Sequence, residues 1–159
     1  LFIDNFLCYL TYGVILLDER QFFQKFITFT ASVHQLKHAL TNDLRPTNLT
    51  PIQYNILEYI SINEPAILSD ISSCHQMSLP NTSRELKNLM EKNLINKFID
   101  EKDRRKQYIV LSDEGKEVMK LVFHEVEQIL KKRIDTLSGE QLQEIATAME
   151  LLQNKVFYK

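Results

Sequence analysis

The sequence predicts a mainly α fold (α+β), and three observations predict it. Apolar residues recur at three- and four-residue spacings along most of the 159 positions, the period of helices that bury one face. Only 3 glycines and 4 prolines interrupt them, so the helices are long and the turns few. One stretch, 94–111, departs from that period: two short runs rich in Ile, Val, Phe and Tyr flank a charged interruption, the pattern of a hairpin. An apolar fraction of 44% and a charged fraction of 25% are those of an ordinary globular chain. The length suits one domain with a real core and is short of two.

In chain order, residues 1–17 are strongly apolar but broken by Asp4 and Asn5. They sit at the short limit for a membrane span, carry no basic flank, and lack the charged start and small-residue cleavage site of a signal peptide. They are expected to be an N-terminal extension, a helix or arm that packs on the body or on a second subunit. A long helix is expected over 18–44, with Phe22, Phe23, Phe26, Phe29, Val33, Leu36 and Leu40 as a broad apolar stripe ended by Pro46. The stripe is wide enough to meet its own domain and a partner. Leu49-Thr50-Pro51-Ile52-Gln53-Tyr54 is a helix start: Thr50 caps, Pro51 takes the first position, Gln53 completes a capping box, and Leu49 with Tyr54 forms a staple. Ile56, Leu57 and Ile60 face inward. Asn63-Glu64-Pro65 ends that helix, and a short one follows over 68–75 with Ile71 inward.

Ser78 then caps a helix with Pro80 in its first turn and Asn93, tolerant of the left-handed conformation, at its end. Thr82, Leu86, Leu89 and Met90 face inward; Pro80, Asn81, Ser83, Arg84 and Lys87 face out. Two strands follow, 94–99 and 107–111, joined by Asp100-Glu101-Lys102-Asp103-Arg104-Arg105-Lys106, which has no apolar member. Ser112-Asp113-Glu114 caps the next helix, reaching about 134 with Val118, Leu121, Val122, Val126 and Ile129 inward. Leu137 to Leu142 is a second capping box and staple. The last helix carries Leu142, Ile145, Met149, Leu152 and Val156, spaced three, four, three, four, a seam of the kind helices use to pair. Two short helices with a tight link make a helix-turn-helix arrangement, and a hairpin follows it.

Net charge is −2, yet 84–106 holds eight basic and five acidic residues, a local +3. That suits a duplex, and equally a merely solvated helix and hairpin. Hydroxyls, amides and an arginine on the outer face of a helix suit base edges in a major groove, and an arginine-tipped hairpin suits the adjacent minor groove. The run Leu94-Ile95…Asp103-Arg104-Arg105…Leu111-Ser112-Asp113-Glu114-Gly115 resembles the MarR family of bacterial winged-helix regulators, without gaps from Ser78 to Gly115. The resemblance implies one MarR-like domain over 1–159. Within it, 18–48 and 113–159 are the helical dimerisation region and 49–112 the DNA-binding region. It implies a homodimer on a pseudo-palindromic double-stranded operator and a repressor responsive to a ligand or stress; the scarcity of cysteine makes a reducing cytoplasm the expected location.

The expected DNA-binding residues are Ser78, Pro80, Asn81, Ser83, Arg84 and Lys87 on the helix and Asp103, Arg104, Arg105 and Lys106 in the wing. Ser83 and Arg84 are placed for bases and Lys87 for phosphate. By resemblance Asp103 orients Arg105 into the minor groove. The expected dimerisation set is Phe22, Leu142, Ile145, Met149, Leu152 and Val156. A small-molecule effector is given Phe26, His34, Tyr54 and Phe123, aromatics that serve as plain core as readily. His34 and His38, four apart, lack a third ligand, so no metal is expected. Cys8 and Cys74 are too few for a disulfide framework and are read as inert thiols. No phosphate loop, nucleophile elbow or acid–base cluster is present in the sequence, so neither an enzyme nor a cofactor is expected. The rival reading is a winged helix used only for protein contacts.

Overall fold

The computed structural model describes residues 18–41, 44–99 and 107–157. The extension 1–17 and the charged hairpin tip 100–106 lie outside them. The chain divides into two compact units, Leu1–Ala39 and Leu40–Lys159.

The first unit is carried by α1, Glu19–Thr41. It follows the expected stripe but ends three residues before Leu44. None of its residues is buried, and Phe22, Phe23, Ile27, Phe29 and Val33 all stand exposed. The Phe22 and Phe26 rings, one turn apart, stack at 6.1 Å.

The second unit runs through α2 (Pro51–Ile62), β1 (Ala66–Ile67), α3 (Leu68–Cys74), α4 (Leu79–Glu91), β2 (Ile95–Ile99), β3 (Gln107–Leu111), α5 (Asp113–Ile134) and α6 (Gly139–Leu152). A single π-helical turn, Gln153–Phe157, follows. Local chemistry accounts for the ends. Thr50 and Gln53 form the expected reciprocal capping box, as do Ser138 and Gln141, while Ser78 and Ser112 each accept from the backbone three residues on. Asn93 takes the left-handed backbone, φ 57°, that terminates α4. Its turn is closed by Leu94 N–H donating to Leu89 O at 3.0 Å.

Ile56, Leu57, Ile60, Ile71, Leu89 and Ile109 are almost wholly buried and form one core with Leu49, Tyr54, Leu86, Leu94, Leu111 and Met119. Two features lie beyond the sequence reading. The first is β1, whose two residues pair antiparallel with Ile109 and Tyr108, giving a three-stranded sheet in the order β1-β3-β2. The second is the face that α5 turns inward. Gly115, Met119 and Val122 are buried, whereas Leu121, expected inside, is 68% exposed. Leu121 sits 100° around the helix from Val122, outside the arc that Gly115, Met119 and Val122 share.

Gly115 explains how α5 seats on the sheet. A Cβ there would lie 2.0 Å from the carbonyl oxygen of Leu94, and Ser112 N–H donates to that same oxygen at 3.1 Å. Ser112 Oγ also donates to Asn93 O and accepts from Gly115 N–H. The start of α5 is thereby tied to the turn between α4 and the hairpin. Across the sheet, Glu64 Oε1 accepts from Leu111 N–H at 2.9 Å, joining the end of α2 to the base of the wing. Among the described residues no helix is long and apolar enough to cross a membrane.

Two outcomes follow from this packing. Gly115→Ala, which would gain about 1 kcal/mol on helix propensity alone, is expected to lose about 2 kcal/mol or more by overpacking backbone, read as a lower urea midpoint. The Tyr54 phenol is buried without a hydrogen-bond partner among the described residues, and burial first, then Glu58, pushes it up to about 12. A raised pKa contributes stability that is whole below pH 10 and is lost as pH rises toward 12. Across that window the native protein should lose about 1.4 kcal/mol per pH unit more than Tyr54→Phe, measured by parallel denaturant titrations.

Candidate nucleic-acid interface

The outward face of α4 is built from the cap upward. Ser78 Oγ accepts from Asn81 N–H at 3.4 Å, and Thr82 Oγ1 donates back to Ser78 O at 3.1 Å. The cap is thus held from both sides while Thr82 itself is fully buried. Buried Thr82, Leu86 and Leu89 define one side of the helix, and the helical period then turns Pro80, Asn81, Ser83, Arg84 and Lys87 outward. All five are exposed, as is Ser78. Arg84 Nε lies 3.8 Å from Glu85 Oε1, and Lys87 Nζ 3.8 Å from Glu91 Oε1. Both cations stay at the surface, where such pairs are weak and exchange readily for a phosphate or a base.

The helix-turn-helix link is fixed by Ser72, whose Oγ donates to Met77 O at 2.6 Å. Gln76 takes a positive φ of 52° in that link. Cys74 is exposed on α3, and His75, the cap of that helix, stands edge-on to Tyr59 at 5.8 Å.

The wing strands pair in register from Ile95–Leu111 to Ile99–Gln107. Phe98 and Tyr108, directly opposite, bring their rings to 5.4 Å and brace the hairpin just below its tip. Asp103, Arg104, Arg105 and Lys106 belong to that tip and lie outside the described residues.

Two residues of this region escape a reading by periodicity. Leu79, first residue of α4, is 52% exposed beside the polar face and can meet a thymine methyl. Its signal is an apolar residue in the first turn, outside the inward set. Gln53, only 4% exposed, does more than cap. Its Nε2 donates to Glu85 Oε2 at 3.0 Å, and its Oε1 accepts from Lys92 Nζ at 2.8 Å and from Thr50 N–H at 3.4 Å. Lys92 Nζ also donates to Asn48 O, and Asn88 Nδ2 donates to Glu85 at 3.3 Å. The signal is the choice of amide: a capping box occupies the carbonyl of Gln53 and leaves an N–H₂ that must find an acceptor when buried.

The expected effector residues are spread over both units. Phe26 and His34 lie on α1, Phe26 half-buried and His34 exposed. Tyr54 is in the core. Phe123 lines a cleft of about 570 Å³ with Ser61, Glu64, Lys116, His124 and Glu127, which Tyr54 does not line. Leu142, Ile145, Met149 and Val156 are exposed along α6 and the following turn, with Leu152 half-buried. Among the described residues no three His, Cys, Asp or Glu converge as metal ligands.

Comparison with known proteins agrees with this architecture. An uncharacterized HTH-type transcriptional regulator of Staphylococcus aureus is 26% identical over 143 residues, 89% of this chain and 95% of that protein. A MarR family protein from Bacillus stearothermophilus superposes with a TM-score of 0.72 at 16% identity, covering 88% of this chain and 98% of its own. A mutant of S. aureus MepR, solved bound to an oligodeoxyribonucleotide, superposes with a TM-score of 0.54 at 23% identity, covering 80% and 95%. MepR has also been solved bound to ethidium bromide. These structures share the winged-helix fold described above, and the model of the MarR family matches residues 49–106, the span from the α2 cap through the wing tip. Through that span the chain is similar to the MarR family, and over 89% of its length to an HTH-type transcriptional regulator.

Proposed function

We propose that the protein is a sequence-specific DNA-binding repressor that acts as a homodimer on a pseudo-palindromic operator. The observation that carries this reading is α4: a capped helix whose exposed face offers Ser83, Asn81, Arg84 and Lys87 while its other side is locked in the core. Such a face suits a major groove, with Arg84 and Ser83 at base edges, Leu79 at a thymine methyl and Lys87 at phosphate. The wing tip, with Asp103 orienting Arg105 and with Arg104 and Lys106 beside it, is assigned the adjacent minor groove. The MepR–oligodeoxyribonucleotide complex supports the same use of the fold.

The whole chain is taken as one regulator, with 18–48 and 113–159 joining two copies and 49–112 reading DNA. Support for the two-fold assembly is the exposure of Phe22 on α1 and of Ile145, Met149 and Val156 along the C-terminal seam. Lone apolar side chains at a surface are ordinary, but a helix-long row marks a contact surface. Two reading heads would then meet major grooves about one helical turn apart. Occupying a promoter would exclude polymerase, in the cytoplasm, and a small molecule would relieve repression by altering the spacing of the heads. Ethidium bound to MepR shows that one relative of this fold takes an aromatic ligand.

Selection from a random duplex pool should enrich an inverted repeat whose affinity falls steeply with salt; no enrichment would favour a module for protein contacts. On the enriched site, Arg84→Ala should cost about 1–3 kcal/mol with unchanged thermal stability, and Arg105→Ala should also weaken binding. Full operator affinity in Arg105→Ala would remove the wing from the interface. Met149→Glu should shift sedimentation toward the monomer and lower operator affinity together.

A further inference from the structure

We infer that Gln53 is a positioning residue for the reading helix, setting the rotation of α4 about its own axis; the inference rests on the DNA-binding reading above. Apolar burial of Thr82, Leu86 and Leu89 holds α4 against the core, but the hydrophobic effect is non-directional and leaves rotation loosely specified. Hydrogen bonds specify it, because they weaken steeply with distance and angle. Glu85 on α4 and Lys92, the residue that caps its end, are seven residues apart, about two turns along the same side. Both reach the same amide, the carboxylate taking the Gln53 N–H₂ at 3.0 Å and the ammonium giving to its carbonyl at 2.8 Å. Only one orientation of the amide satisfies both partners.

The outer end of this network faces the interface. With Oε2 of Glu85 held by Gln53 and Asn88, its Oε1 lies toward Arg84 at 3.8 Å. Thr50, whose N–H also reaches the Gln53 carbonyl, starts α2. The cap of α2 and the DNA-facing arginine of α4 are therefore joined through two side chains. Glutamate at position 53 would serve the capping box as well as glutamine does, but it would set a carboxylate against Glu85. The capping box alone does not call for the amide; the grip on α4 does.

The test is an exchange of acid and amide. Gln53→Glu keeps the cap and the partner for Lys92 and should lower affinity for the selected duplex about tenfold. Affinity for an unrelated duplex and the salt slope should stay within about twofold of the original, since both rest on phosphate contacts. Adding Glu85→Gln restores an amide–carboxylate pair and should return specific affinity to within about threefold. In the DNA-free protein, hydrogen exchange of the amides over 79–91 should quicken in Gln53→Glu and recover in the double variant. An unchanged specificity ratio in Gln53→Glu, or a double variant that stays impaired, overturns the positioning role. So does unchanged exchange over 79–91. If the unmodified protein selects no duplex, the DNA-binding reading fails, and hydrogen exchange alone then decides whether Gln53 positions the helix.

Discussion

A single buried amide holds the geometry on which this reading head depends. Gln53 lies between a carboxylate of α4 and the ammonium of Lys92, the residue that caps the end of α4, while its own backbone lies in the first turn of α2. Buried polar groups of this kind are costly unless every partner is present. Here Thr50, Asn48, Asn88 and Arg84 complete the set. The apolar core decides that α2 and α4 pack; the amide and its partners decide at what angle. For the proposed use of α4 on base edges the second decision matters more than the first, because a small rotation would carry Ser83 and Arg84 off the bases assigned to them.

The rest of the head is tied to that helix by backbone contacts at close quarters. The left-handed turn at Asn93 brings Leu94 back to Leu89 O, and the Leu94 carbonyl then receives Ser112 N–H. Gly115 lets α5 approach that same carbonyl where no side chain would fit. Glu64 reaches from the end of α2 to Leu111 and fastens the base of the wing. The hairpin is therefore anchored at its root by three separate elements and braced near its tip by Phe98 against Tyr108. The exposed residues proposed to read DNA, Asn81, Ser83, Arg84 and Lys87, contribute almost nothing to the core, so the proposed recognition is separable from stability.

The two helical ends differ in character from the head. On α1, Phe22, Phe29 and Val33 are exposed along one side, and α6 shows Leu142, Ile145 and Met149 in the same way. Each helix is amphipathic, and the described chain leaves the apolar side of each largely uncovered. Helices of this kind gain most of their stability from a packed face. That is the physical ground for assigning them to an assembly surface.

Much of the fold was legible in the residues. Caps at Thr50, Ser78, Ser112 and Ser138 act within three positions, and inward faces such as Ile56, Leu57 and Ile60 repeat within four, so local order shows in local sequence. The exposed set on α4 followed from the same period. Partners distant in sequence were not legible. The two-residue strand Ala66–Ile67 exists only because Ile109 and Tyr108 come alongside it. The second role of Gln53 depends on residues 32 and 39 positions away. Leu121 stays outside because the tight seat at Gly115 sets which arc of α5 turns inward. The sequence by itself determined which segments are helices, where they start and which faces are polar, because those are short-range properties of the backbone and its nearest side chains. Only the tertiary structure decided how α4 is rotated, how closely α5 meets the sheet and which buried polar atoms find one another, because those depend on chain segments that folding alone brings within reach.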